Sequence, residues 1–253
     1  PVTTALQAEQ LGTAHAVLCG QAALADFDGD VFILSGDVPT LPTSMIQRLD
    51  EETGDAVVGV VGMRLEQPGA YGRMITNENG GLEKIVEAVD CTPEERDVCE
   101  VNAGIYRVDA QFLFRVLSGL KTDNAQGEYY LTDLVEVARQ EGHEVKMTLL
   151  TDDEALLAEG VNDRLGLAAA EGRMQNILRR QLMLEGATLI DPARVYVHDG
   201  VTVGTDTMIE PDVSLLGQTH IGSGCTLEQG ARLVDTTVGD GTTVKAWSHA
   251  ERT

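Results

Sequence analysis

VYVHDGVTVGTDTMIEPDVSLLGQTHIGSGCTLEQGARLVDTT, residues 195–237, repeats every six positions. From Val197, every sixth residue is aliphatic: Val203, Ile209, Leu215, Ile221, Leu227 and Leu233 follow. Four positions after each comes a small or β-branched residue: Val201, Thr207, Val213, Thr219, Cys225, Ala231 and Thr237. If aliphatics fall at about one position in four, such a run arises by chance roughly once in 10^4 trials. The unit is too short for a hairpin and too long for a helical turn. It fits one face of a left-handed parallel β-helix, in which three units make a coil and the aliphatic residues stack inside. The register slips after Leu233, since the next matches are Val238 and Val244, and a tightened corner is expected there. About three coils of roughly 18 residues are expected. They leave an uncovered end through which the chain should self-associate.

Upstream, apolar runs alternate with helical patterns. Val31–Ser35, Ala56–Val61, Gly104–Val108 and Val145–Leu150 read as buried strands; Ser44–Glu52, Ala110–Leu117 and Leu131–Glu141 read as helices. Alternation of this kind predicts a Rossmann-like α/β domain, a mostly parallel sheet with helices on both faces and ligands at the strand ends. Arg164–Glu185 reads as a linker helix stopped by Gly186. The expected order is therefore an α/β domain over 1–163, a linker helix over 164–186 and the start of a truncated β-helix over 187–253.

Charge and composition narrow the function. There are 18 Lys+Arg against 41 Asp+Glu, a net charge of −23. That argues against non-specific nucleic-acid binding and anionic membranes, and no apolar run approaches the roughly 18–20 residues of a membrane span. Cys19, Cys91, Cys99 and Cys225 have no metal-ligand or disulfide spacing and read as reduced thiols of a cytoplasmic protein. The five histidines form no triad-like or zinc-like pattern.

Four clusters carry candidate chemistry. LQAEQLGTAHA (6–16) holds a Gly-Thr pair able to bring backbone N–H and a hydroxyl close to a planar ligand. Ser35-Gly36-Asp37-Val38-Pro39 places a carboxylate after a strand, beside a glycine, as a hard cation requires. Tyr71-Gly72-Arg73, Ile85-Val86-Glu87 and Val101-Asn102-Ala103-Gly104 each offer a group suited to sugar hydroxyls or an amide. The last cluster is AQGEYYLTD (125–133), with EGVN (159–162) further on, where Asn162 offers a neutral oxygen. Singly, each has an ordinary structural reading.

Together, and in this order with the DPAR of Asp191–Arg194 and the hexapeptides, they resemble the bacterial bifunctional N-acetylglucosamine-1-phosphate uridylyltransferase / glucosamine-1-phosphate acetyltransferase family. QGEYYLTD and EGVN-R carry the specificity, whereas GDVP and the hexapeptides are shared with other sugar nucleotidyltransferases. The resemblance implies that Gln7, Gly12 and Thr13 contact the uracil of UTP. Ser35, Gly36 and Asp37 would line the nucleotide, with Asp37 on Mg²⁺ and Asn162 as the second protein ligand. Gly72, Glu87, Asn102 and Thr132 would hold N-acetylglucosamine-1-phosphate or the sugar of UDP-N-acetylglucosamine. Ser35 stands where a member of the family has tyrosine. The resemblance also implies a homotrimer through the β-helix and, in the complete protein, acetyl-CoA as donor for the acetyl transfer. The family's Gly-rich phosphate loop and catalytic lysine would precede Gln7, so no catalytic residue is assigned here. The chain reads as an internal fragment expected to be inactive in uridylyl transfer.

Two rival readings remain. Another sugar-1-phosphate nucleotidyltransferase with a β-helix tail is disfavoured by QGEYYLTD and DPAR. A non-catalytic assembly subunit of the same fold is disfavoured by the presence of both Asp37 and Asn162.

Overall fold

The computed structural model describes residues 2–253, and its contacts separate into two units that divide between Val161 and Asn162. In the first unit the elements run α1 (Thr13–Cys19), β1 (Asp30–Ile33), α2 (Thr43–Thr53), β2 (Val58–Arg64), β3 (Arg73–Thr76), β4 (Leu82–Val86), α3 (Pro93–Arg96), β5 (Glu100–Asp109), α4 (Ala110–Leu117), α5 (Asp133–Gln140), β6 (Val145–Leu149) and α6 (Asp152–Leu157). The strands form one six-stranded sheet in the order β4-β3-β5-β2-β6, with β1 on β5.

This sheet is mixed, not mostly parallel. Only β2 and β6 run parallel; the β1–β5, β2–β5, β3–β5 and β3–β4 pairs are antiparallel. The ten-residue β5 explains the difference. It takes β2 along one edge, and along the other β3 at its start and β1 at its end, all in the opposite direction. Helices do cover both faces. Val58 and Val60 point into a core with Phe112, Leu113, Leu134 and Val135 of α4 and α5, while Val61 and Met63 pack with Met45 and Leu49 of α2 and Ala155 of α6. The period-two alternation of a strand delivers both sets from one segment.

The second unit opens with α7 (Arg164–Leu184), N-capped by the Asp163 carboxylate, which accepts the Gly166 N–H at 2.7 Å. Gly186, at φ 107, then turns the chain into eleven short strands: β7 (Thr188–Leu189), β8 (Tyr196–Val197), β9 (Thr202–Val203), β10 (Met208–Ile209), β11 (Ser214–Leu216), β12 (His220–Ile221), β13 (Thr226–Leu227), β14 (Arg232–Val234), β15 (Thr237–Val238), β16 (Thr243–Val244) and β17 (His249–Glu251). They stack as three parallel sheets, β7-β10-β13-β16, β8-β11-β14-β17 and β9-β12-β15, the faces of a parallel β-helix of about four turns. The expected count of three was short by the first turn. There the 3₁₀ segment Pro192–Arg194 lengthens the path between β7 and β8 and hides Leu189 from a six-residue period.

Val203, Ile209, Leu215, Ile221, Leu227 and Leu233 are all buried, as the repeat predicts. The intervening small positions are buried too, and both threonines among them bond. Thr207 Oγ1 donates to the Gly222 carbonyl at 2.8 Å and accepts the Cys225 N–H at 3.0 Å; Thr219 Oγ1 donates to the Leu216 carbonyl at 2.7 Å. A threonine hydroxyl thus satisfies corner backbone that a solvent molecule cannot reach. The slip after Leu233 is a shortened corner. Ile221 pairs with Val238, and Asp235, at φ 47, stands against Gly217 of the coil before, its Oδ1 accepting the Gln218 N–H at 2.9 Å. The missing residue falls before the small position rather than after it. Thr236 is therefore the buried one, and Thr237 is exposed.

The buried side of α7 is more polar than its sequence suggests. Leu165 and Ile177 are exposed, while Ala170, Gln175, Arg179 and Leu182 are buried. Gln175 brackets Val197 as a neighbouring strand would, Nε2 donating to its carbonyl at 2.7 Å and Oε1 accepting its N–H at 3.0 Å. Arg179 donates to the Pro192 and Val195 carbonyls at 2.8 and 3.3 Å. The helix closes backbone groups of the first coil that have no coil beneath them.

Candidate active site

The site grows from a bulge in β5. Its register against β2 shifts between Val60 and Gly62, and Gly104, at φ 73, occupies the bulge. A Cβ there would lie 2.5 Å from Ser35 Oγ, so only glycine lets the loop after β1 approach; Ser35 Oγ donates to the Gly104 carbonyl at 3.2 Å. The same bulge orients Asn102. Its Oδ1 accepts the Gly104 N–H at 2.9 Å, so its Nδ2 is the atom that donates to Tyr106 Oη at 2.6 Å. One amide N–H of Asn102 is left over for a ligand. Burial raises the Tyr106 hydroxyl far above its usual range, which keeps it a neutral hydrogen-bonding partner.

Around this bulge lies a cleft of about 350 Å³ lined by Thr13, Ser35, Gly36, Asp37, Glu87, Asn102 and Thr132, together with Ala16, Val17, Ile33, Leu34, Gly104, Tyr106 and Leu131. Seven sequence-derived candidates, separated by up to a hundred positions and more in the chain, thus share one cavity. Glu87 follows β4 and accepts the Thr132 hydroxyl on Oε1 at 3.0 Å. Gly72 stands behind it: a Cβ there would meet Ile85 at 3.1 Å and Glu87 Oε2 at 3.5 Å, and its carbonyl accepts the Asn102 N–H at 2.9 Å. Burial, and then the neighbouring Asp90 and Glu128, raise the Glu87 carboxyl against the opposing Thr132 bond. The Asp37 carboxylate is exposed and has no hydrogen bond or ion pair among the described residues.

The first and last motifs of this unit are zipped together. Tyr129 N–H donates to the Leu11 carbonyl at 2.9 Å, Ala14 N–H to the Tyr129 carbonyl at 3.0 Å, and Leu131 N–H to Thr13 Oγ1 at 3.0 Å. Gln7 and Gly12 adjoin this seam, Gln7 Nε2 donating to the Gly12 carbonyl at 3.2 Å. Asn162 lies in the second unit. Sequence reasoning passed over Gly104 and Tyr106 as site residues, although Gly104 closes the Val101–Gly104 cluster and Tyr106 lies two positions beyond it. Their tell was a glycine in the interior of a strand, the mark of a bulge.

A family model described as nucleotidyl transferase matches residues 1–154. The chain belongs to that family. Its curated relatives include the bifunctional protein GlmU of Pelobacter propionicus, 43% identical over 99% of this chain and 54% of that protein. The bifunctional protein GlmU of Geobacter metallireducens is 46% identical over 94% of this chain and 50% of that protein. That of Pediococcus pentosaceus is 41% identical over 95% of this chain and 51% of that protein. The chain spans about half the length of the curated relatives it matches. The cleft just described lies wholly within the segment that this nucleotidyl transferase family matches. No helix among the described residues is long and apolar enough to cross a membrane. The four cysteines are free thiols.

Behind the cleft wall, Asp133 opens α5 with its carboxyl raised from 3.8 to about 6, chiefly by burial and then by Glu136, Glu87 and Asp90. A carboxyl raised on folding favours the folded state only while protonated. Its cost is absent below the unfolded value, appears as pH climbs from 3.8 and is complete above about 6. Asp133→Asn is therefore expected to leave the melting temperature unchanged near pH 3.5 and to raise it at pH 7.5. Thermal unfolding monitored by circular dichroism across that range checks this. A gain equal at both ends would mean that charge is not its cause.

Proposed function

We propose that this chain carries the base- and sugar-binding parts of a uridylyltransferase that joins UTP to N-acetylglucosamine-1-phosphate, giving UDP-N-acetylglucosamine and pyrophosphate. The observation that supports this reading best is the convergence of Glu87, Asn102 and Thr132 with Ser35, Gly36, Asp37 and Thr13 on one cleft, backed by Gly72. The cleft and the seam beside it differ in chemistry. The Glu87 carboxylate and the spare Asn102 N–H offer an acceptor and a donor, the pair that sugar hydroxyls and an acetamido group require. The seam of Gln7, Gly12 and Thr13 offers backbone and amide groups to a flat base.

In the reaction, an oxygen of the sugar-1-phosphate attacks the α-phosphorus of UTP and pyrophosphate leaves. Such transfers need placement and charge neutralisation more than covalent help. Glu87 and Asn102 would fix the sugar, Asp37 would stand by the phosphates, and Gln7, Gly12 and Thr13 would fix the base. Asp37 fits a magnesium ligand: it is a hard oxygen donor in the loop after a strand, with no competing cation among the described residues. Magnesium, when bound, supplies positive charge between the reacting phosphates. Proteins of the relatives' full length are proposed to couple this step to acetylation of glucosamine-1-phosphate by acetyl-CoA. They are further proposed to assemble as trimers through the β-helix, in the cytoplasm.

Calorimetry with this chain in Mg²⁺ tests the reading. UDP-N-acetylglucosamine should bind more tightly than UDP, and Glu87→Ala should weaken the sugar nucleotide by roughly ten- to hundredfold, the worth of one charged hydrogen bond, while sparing UDP. Equal affinities for UDP and UDP-N-acetylglucosamine in the unmutated chain would overturn the sugar assignment.

A further inference from the structure

The side-chain amide of Gln7, just ahead of α1, is held at two points. Nε2 lies 3.2 Å from the Gly12 carbonyl oxygen and 3.1 Å from His15 Nδ1. A peptide carbonyl only accepts, so the amide atom facing it is the nitrogen, and the orientation of the amide follows from chemistry. An amide nitrogen only donates, so His15 Nδ1 accepts and the ring proton sits on Nε2, 4.0 Å from Cys19 Sγ. Both N–H groups of Gln7 are thereby engaged within the chain. Its Oε1 has no partner among the described residues, and neither has the Gly12 N–H.

We infer that His15 is a positioning residue for base selection: by accepting from Gln7 Nε2 it keeps Oε1 outward, an acceptor beside the Gly12 N–H donor. That pair matches a base edge offering a donor next to an acceptor, the N3–H and O4 of uracil. Cytosine presents the reverse, a bare N3 and an amino group, and would leave Oε1 facing a lone pair. The inference rests on the proposal that Gln7 and Gly12 face the base. Discrimination of this kind is strong, because a polar group built to bond one edge is left unpaired by the other.

The test is the ratio of UDP to CDP affinity, measured by calorimetry on this chain in Mg²⁺. The unmutated chain should favour UDP. His15→Lys replaces the acceptor by a donor, forces the Gln7 amide to turn, and should cut that preference by about tenfold or more. His15→Asn keeps an oxygen near the position of Nδ1 and should restore most of it. A purely structural His15 would weaken both nucleotides together and leave the ratio unmoved, which would overturn the inference while sparing the base site. Failure of the unmutated chain to prefer UDP would remove the base assignment of Gln7 and Gly12, and the inference with it. Independently of any variant's folding, ¹⁵N spectra of the unmutated chain should show His15 Nδ1 bare near neutral pH; a proton on Nδ1 would overturn the inference.

Discussion

Gly12→Ala is expected to cost the first unit about 2–5 kcal/mol and to lower its melting temperature by roughly 10 °C. Two effects add. Gly12 sits at φ 109 and ψ 177, a region that side chains avoid. The added Cβ would also lie 2.5 Å from the Tyr129 carbonyl oxygen and 2.8 Å from its nitrogen, both backbone atoms held by the Leu11 and Ala14 hydrogen bonds. Neither neighbour can rotate away, so the seam between the LGT and EYYLT segments must part. Thr13 and Leu131 then leave the cleft wall together, and nucleotide binding should fall with stability. Gly127→Ala supplies the control. Gly127 belongs to the same motif at φ 66, but a Cβ there meets nothing within 4 Å. Only the left-handed conformation is charged to it, about 1–2 kcal/mol. Denaturant melts of the two variants separate the effects, and equal losses would mean that the contact with Tyr129 contributes nothing.

This contrast shows what a sequence can reveal and what it cannot. The β-helix was legible because its restraint is local and repeated: each coil buries one aliphatic residue per face, from Val203 to Leu233, so the period is written in the chain. It became illegible where Pro192–Arg194 breaks the spacing ahead of β8, although Leu189 is as buried as its successors. In the α/β unit the apolar runs located strands but not their direction. Direction is set by which edges of β5 are taken by β1, β2 and β3, a matter of partners far apart in sequence. The β3–β4 hairpin was missed because its strands, of four and five residues, carry arginine, glutamate and lysine among the apolar positions. The site shows the same division. Thr13, Asp37, Glu87, Asn102 and Thr132 were each unremarkable by local pattern, and it was their order along the chain that suggested a shared purpose. Gly104 and Tyr106, which hold Asn102 in its orientation, act only through a bulge whose one sign in the sequence is a glycine within a strand.

Asp37→Asn should change UTP affinity in opposite directions with and without magnesium. The cleft is lined by two carboxylates, Asp37 and Glu87, and by no lysine or arginine, in a chain of net charge −23. A triphosphate entering it meets repulsion from every nearby charge. Without divalent cation, removing the Asp37 charge relieves part of that repulsion, and the variant should bind UTP a fewfold better, about 1 kcal/mol for one exposed charge. That gain should shrink as salt is added, because the side chain is exposed. With saturating Mg²⁺ the unmutated chain should bind UTP at least about a hundredfold more tightly than in chelator, and Asn should forfeit most of that increase. Folding does not enter the comparison, since the carboxylate has no partner among the described residues and Asp37 is tied down by its backbone, its carbonyl accepting the Val161 N–H at 2.8 Å. A carboxylate that merely shaped the cleft would shift UTP affinity by the same factor in both buffers. Only a group whose charge repels the naked nucleotide and attracts its counter-ion can reverse sign, so parallel shifts would remove Asp37 from the metal site.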